Sequence, residues 1–92
     1  MRYFLIRDDL DTNHVIAIHR TLDSAVACFS LFVISGDYED YLELVEIDTN
    51  DHGIVISDAV VLSYNKQLRS LSCGREDILR IISSRIPLTR GT

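Results

Sequence analysis

Three histidines and two cysteines, His14, His19, His52, Cys28 and Cys73, are the side chains of this sequence that could ligate a transition metal. Zinc needs about four converging nitrogen or sulfur ligands, and the spacing does not supply them. There is neither a Cys-x-x-Cys nor a His-x-x-x-His pair, and His14 and His19 lie an odd number of residues apart in an extended run, so they point to opposite faces of a strand. The run Asp48-Thr49-Asn50-Asp51-His52-Gly53 begins like a calcium loop, with carboxylates and amides at alternate positions before a glycine. His52 then stands where a third oxygen ligand belongs, and Ala59 where a bidentate glutamate should close the loop. Asp9-Leu10-Asp11-Thr12-Asn13 departs further, with His14 in place of the glycine and Arg20 at the closing position. No metal and no cofactor are expected.

Nucleophilic and phosphate chemistry fare no better. No Gly-x-Ser-x-Gly turn is present, and Gly36, Gly53, Gly74 and Gly91 are too scattered for a phosphate-binding loop. Carboxylates are plentiful, but they fall in turn-forming stretches where nothing would raise a pKa for general acid work. A chain this short also has little room for a pocket beside its core. We therefore assign no catalytic residue and expect no enzyme.

What the charges do offer is a docking surface. Residues 1–58 hold twelve acids against Arg2, Arg7 and Arg20, a net −9, whereas residues 59–92 hold six bases against Glu76 and Asp77, a net +4. The most concentrated stretch carries seven acids and no Lys or Arg: Asp37, Glu39, Asp40, Glu43, Glu46, Asp48 and Asp51. Such a run repels itself, and folding alone gives no reason for it. Tyr38 and Tyr41 interleave with these acids, and tyrosine brings large contact area at little entropic cost. Asp37, Tyr38, Glu39, Asp40, Tyr41, Glu43, Glu46, Asp48 and Asp51 are thus the candidate partner-binding residues. Acid with tyrosine suits a basic protein surface, such as a groove that holds nucleic acid, where spaced carboxylates can stand in for phosphates.

The 92 residues are 47% apolar and 25% charged, which describes one soluble domain spanning 1–92 and excludes a disordered chain. Two cysteines are too few for a disulfide scaffold, and the opening meets Asp8-Asp9 before a secretory apolar stretch can form. The longest apolar stretch, Ala25 to Ile34, is about half of the ~20 residues that cross a bilayer. A cytoplasmic protein without membrane contact is expected.

The elements that must hold the acidic run can be read from periodicity. Tyr3–Arg7 and His14–His19 are β-branched and aromatic runs around a polar turn, a hairpin signal. Thr21 is an N-cap for a helix over 22–34 with Leu22, Ala25, Val26, Phe29, Phe32 and Val33 at helical spacing, ended at Ser35-Gly36. Residues 38–47 fit either period; we read 42–47 as a strand, because the turn at 48–53 leads straight to Ile54-Val55-Ile56. Leu44 and Val45 are adjacent, so either a bulge re-aims this strand or its second face is covered by a helix or a partner subunit. Beyond Ser57-Asp58, spacing predicts a helix to about Ser72, with Val60-Val61-Leu62 able to extend the strand instead. A last helix runs from Arg75 with Ile78, Leu79, Ile82 and Ile86 as its stripe, halted by Pro87. The expected fold is α+β: a small antiparallel sheet of two hairpins (β-β-α-β-β), one packed helix and a C-terminal helical hairpin. Phe4, Ile6, Val15, Ile18, Phe29, Phe32, Leu42, Leu44, Val55 and Ile82 form the expected core.

In size and plan the chain resembles the small accessory proteins with which phages block host enzymes, and the acidic immunity proteins that plug toxin nucleases. The resemblance implies an inhibitor of a nucleic-acid-handling protein, of the anti-defence or nucleic-acid-mimic kind. The opposite reading makes the two C-terminal helices a helix-turn-helix with Arg69, Arg75, Arg80 and Arg85 on phosphates, a small DNA-binding regulator. It ranks second, because the second helix lacks Asn, Gln or Lys to read bases and the acidic half repels a duplex. The arginines can instead pair with the acids within one chain, or across the two-fold axis of a homodimer.

Overall fold

A computed structural model describes residues 1–8, 14–38 and 40–85. Five strands form one antiparallel sheet: β1 (Arg2–Arg7), β2 (Val15–His19), β3 (Tyr41–Thr49), β4 (Val55–Asn65) and β5 (Ser70–Ser72), in the spatial order β2-β1-β3-β4-β5. Two helices, α1 (Leu22–Ser35) and α2 (Glu76–Ser83), complete an α+β fold. Their buried residues share a single cluster with Phe4, Ile6, Leu42, Leu44 and Leu62, so both helices cover the same face of the sheet.

Local chemistry sets the ends of α1. The Thr21 hydroxyl accepts from the Ser24 N–H at 3.3 Å, satisfying one of the donors a helix start leaves free. At the far end Gly36 turns left-handed at φ 69° and donates its N–H to the Phe32 carbonyl, a conformation that glycine enters without a Cβ penalty. The only lysine of the chain, Lys66, reaches back from the β4–β5 turn to donate to the carbonyls of Gly36 (2.8 Å) and Tyr38 (3.1 Å), placing a cation at the negative end of α1. The turn between β3 and β4 is organised by Asn50, whose side-chain oxygen accepts from the N–H groups of His52 and Ile54, with Gly53 at φ 77°.

Alternation assigns the faces. Arg2, Phe4 and Ile6 stand opposite Asp48, Glu46 and Leu44, all on the helix-covered side; Arg7 and Glu43, opposite each other, belong to the other side. β1 and β3 pair without interruption from Arg2–Asp48 to Arg7–Glu43, so β3 itself is not re-aimed. Val45 points away from the helices and is buried without joining their core cluster. The irregularity lies instead in β4, where Leu62 pairs with Leu44 and Val60 with Val45, leaving Val61 as an extra residue. An extra residue interrupts the two-residue period, and Val61 and Leu62 both enter the core. A similar extra residue at Ile16 in β2 lets Ile16 and Ala17 both pack on the core.

Several expectations are corrected here. The helix expected over Asp58–Ser72 is the second half of β4 followed by β5, so the C-terminal helical hairpin does not form and α2 has no helical partner in that segment. Val60-Val61-Leu62 continue the strand because Leu44 and Val45 offer them cross-strand partners, and long-range pairing overrides the helical spacing of Val61, Tyr64, Leu68 and Leu71. Of the expected core, Val15, Ile18 and Val55 are exposed. Ile18 pairs with Leu5 on the face away from the helices, Val15 flanks the β2 bulge, and Val55 pairs with Thr49 on that same far face. Phe32 is partly buried against the core, and Phe4, Ile6, Phe29, Leu42, Leu44 and Ile82 are buried in it. The turn at 9–13, Glu39, and Ile86 with Pro87 lie outside the described residues.

Candidate interaction surface

The acidic run does not fold into one patch. It begins in the α1–β3 connection, passes along the central strand β3 and ends at the tip of the β3–β4 turn, a distance of about 30 Å for a strand of this length. Asp37 and Asp40 are exposed beside the half-buried Tyr38 and Tyr41 at one corner of the sheet. Asp51 is exposed at the opposite end. Between them Glu43 faces one side of the sheet, while Glu46 and Asp48 face the other.

The middle three carboxylates are engaged by arginines of the same chain. Arg7 Nη2 donates to Glu43 Oε1 at 3.0 Å, with only 20% and 12% of the two side chains exposed. Arg2 Nε lies 3.4 Å from Glu46 and 3.2 Å from Asp48, and Arg75 approaches Glu46 at 3.7 Å from the start of α2. The Asp48 carboxyl is held below its ordinary range, first by the hydrogen bond from Arg2, and Ser57 also donates to it. Pairing of arginine with acid inside one chain thus accounts for Glu43, Glu46 and Asp48, and arginine's planar fork suits such contacts.

The corner around Asp37 and Asp40 is built differently. The Tyr38 ring meets Tyr64 edge-on, with centroids 6.5 Å apart, and carries the Lys66 ammonium 5.0 Å from its centroid. Burial, with a smaller contribution from Tyr64, raises the Tyr38 phenol above its ordinary pKa. Gln67 donates to Asp40 at 3.4 Å, and among the described residues no arginine lies within ion-pair distance of Asp37 or Asp40. Rigid aromatic rings thus support two outward carboxylates.

Two features were not anticipated from the residues. His19 Nδ1 lies 3.2 Å from Ser24 Oγ, which is a nucleophile-and-base spacing. Ser24 Oγ, however, also donates to the Thr21 carbonyl and sits 2.8 Å from Thr21 Oγ1, so the trio serves the start of α1. The second is the first half of β4, where every residue from Val55 to Val60 is exposed. Its signal in the sequence is the apolar pair of runs Ile54-Val55-Ile56 and Val60-Val61-Leu62.

The basic residues of the C-terminal part are spread over a turn, the start of α2 and its body. Arg69 lies in the β4–β5 turn, Arg75 is bound to Asp77 and Glu46, and Arg80 stands 3.9 Å from Glu76. Among the described residues, no helix is long and apolar enough to cross a membrane. Compared with known proteins, the chain matches no family model, no curated protein and no solved structure.

Proposed function

We propose that this chain is a non-enzymatic protein-binding module that docks an acidic, tyrosine-bearing surface on a basic surface of another protein. The observation that carries the reading is the division of labour among the acids. Glu43, Glu46 and Asp48 are neutralised within the chain, whereas Asp37 and Asp40 project beside Tyr38 and Tyr41 with no arginine on them among the described residues. Aromatic area flanked by unpaired charge is the composition of a binding hot spot with a steering field around it. The narrowed surface is therefore Asp37, Tyr38, Asp40 and Tyr41, with Glu43, Glu46 and Asp48 in a supporting role and Asp51 at a distance. Its most specific form is inhibition of a nucleic-acid-handling protein, with the carboxylates occupying phosphate positions in a basic groove and the chain acting in the cytoplasm. The DNA-binding alternative is less well supported, since its first helix is replaced by strand.

The test is affinity capture from a host extract with the native chain and with an Asp37→Lys/Asp40→Lys variant, followed by titration of each purified partner at two salt concentrations. A basic partner held by the native chain, weakened by salt and lost with the variant, supports the reading. Equal capture by both proteins, or direct binding of duplex DNA by the native chain, overturns it.

A further inference from the structure

β5 pairs with β4 only along Ser63–Asn65, so among the described residues no strand lies on the side of β4 away from β3 between Val55 and Leu62. An open edge presents unpaired backbone N–H and C=O groups, and proteins that keep such an edge single protect it with lysine, proline or several charges. Ile54 to Leu62 carries no lysine and no proline, and its one charge is Asp58. Ile54, Val55, Ile56 and Val60 are between 49% and 65% exposed, so apolar side chains lie open as well as backbone. We propose that this edge is closed by β4 of a second copy, paired antiparallel about a two-fold axis that continues the sheet across the dimer.

The occupant follows from the chemistry of the edge. Unpaired backbone groups in a row take an extended strand, not a helix or a nucleic acid. A second copy brings an edge that is equally apolar and equally poor in charge, as permanent homodimer contacts are. The symmetry is also satisfied. Residues opposed across a two-fold axis normal to a sheet share a face, so the axis falls on a residue and not between two. Between the two irregular positions of β4, Ser57 and Ala59 lie on the helix-covered side, and Asp58 and Val60 on the other. An axis through Asp58 would set two carboxylates directly opposite each other, which is destabilising. An axis through Ser57 or Ala59 places a small residue against itself and Asp58 opposite Ile56 or Val60. The self-pairing register is therefore centred on one of the two small residues that flank Asp58. This contact is separate from the corner at Asp37 and Asp40 and leaves it free, so each copy in the dimer would present its own.

Sedimentation equilibrium of the native chain against concentration, with Ile56→Glu and Val60→Glu beside it, tests the self-association. The native chain should dimerise, and each glutamate, set against Asp58 or against an apolar residue of the second copy, should weaken the dimer at least about tenfold, or ~1.4 kcal/mol. Cysteine placement tests the geometry without relying on glutamate variants that misfold. In a Cys28→Ser/Cys73→Ser background, Ala59→Cys or Ser57→Cys should form an interchain disulfide under mild oxidation, because directly opposed Cα atoms lie about 4.5–5.5 Å apart. Leu31→Cys, on the exposed side of α1, should not. A native chain that stays monomeric, or a dimer that cross-links through Leu31 and at neither β4 position, overturns the proposal.

Discussion

Reversing one carboxylate in the middle of the acidic run separates its structural role from its binding role. In Glu43→Lys an ammonium replaces the carboxylate that accepts from Arg7 Nη2 at 3.0 Å. The pair is about four-fifths or more shielded from water, and Arg7 Nε is already buried without a hydrogen-bond partner among the described residues, so the guanidinium would lose its counter-charge and face a like charge. Breaking a fully buried pair costs about 3–5 kcal/mol and an exposed one about 0.2–1. This partly shielded pair falls between, at about 2–3 kcal/mol. For a domain of this size that lowers the melting temperature by roughly 10–20 °C. The assay is thermal unfolding by circular dichroism at neutral pH, with Glu43→Ala and Asp40→Lys alongside. Glu43→Ala should lose less than Glu43→Lys, because it removes the attraction without adding repulsion. Asp40→Lys, on an exposed residue, should stay within about 0.5 kcal/mol of the native chain. A Glu43→Lys protein that melts with the native chain would refute the reasoning, and would return Glu43 to the freely available acidic surface.

Three further outcomes are expected. Phe29→Ala removes a fully buried ring between α1 and the sheet and should cost about 3–5 kcal/mol in chemical denaturation; an unchanged midpoint would remove α1 from the core. The Asp48 carboxyl is depressed by Arg2 in the folded state, so its contribution is present above the ordinary value of 3.8 and is lost as pH falls through the lowered folded value. Asp48→Asn should flatten the fall in melting temperature below that ordinary value, and an identical acid limb in both proteins would contradict the pairing. Lys66→Ala should lower stability by about 1 kcal/mol and raise hydrogen exchange at the C-terminal turn of α1, since the ammonium holds the Gly36 and Tyr38 carbonyls; unchanged exchange there would show that the clamp is idle.

How much of this could be read from the residues follows the range over which each interaction acts. The Thr21 cap, the Gly36 terminus and the apolar stripe of α1 are set by neighbours within four residues, so α1 is legible in the sequence almost to its ends. The β3–β4 turn is equally local, being held by one asparagine and one glycine. The acidic density from Asp37 to Asp51 is likewise a property of the sequence. Its division is not: Arg2, Arg7 and Arg75 reach Glu43, Glu46 and Asp48 from 29 to 46 residues away only because β1 pairs with β3 and α2 begins beside them. The fate of residues 58–72 was settled in the same way. Their apolar spacing fits a helix, but a helix would leave Leu44 and Val45 paired on their β1 side alone, and the strand that supplies their second partners runs on past the core. Periodicity records which side chains are apolar; only the tertiary pairing decides which backbone they complete, and so where a charge is spent and where an edge is left open.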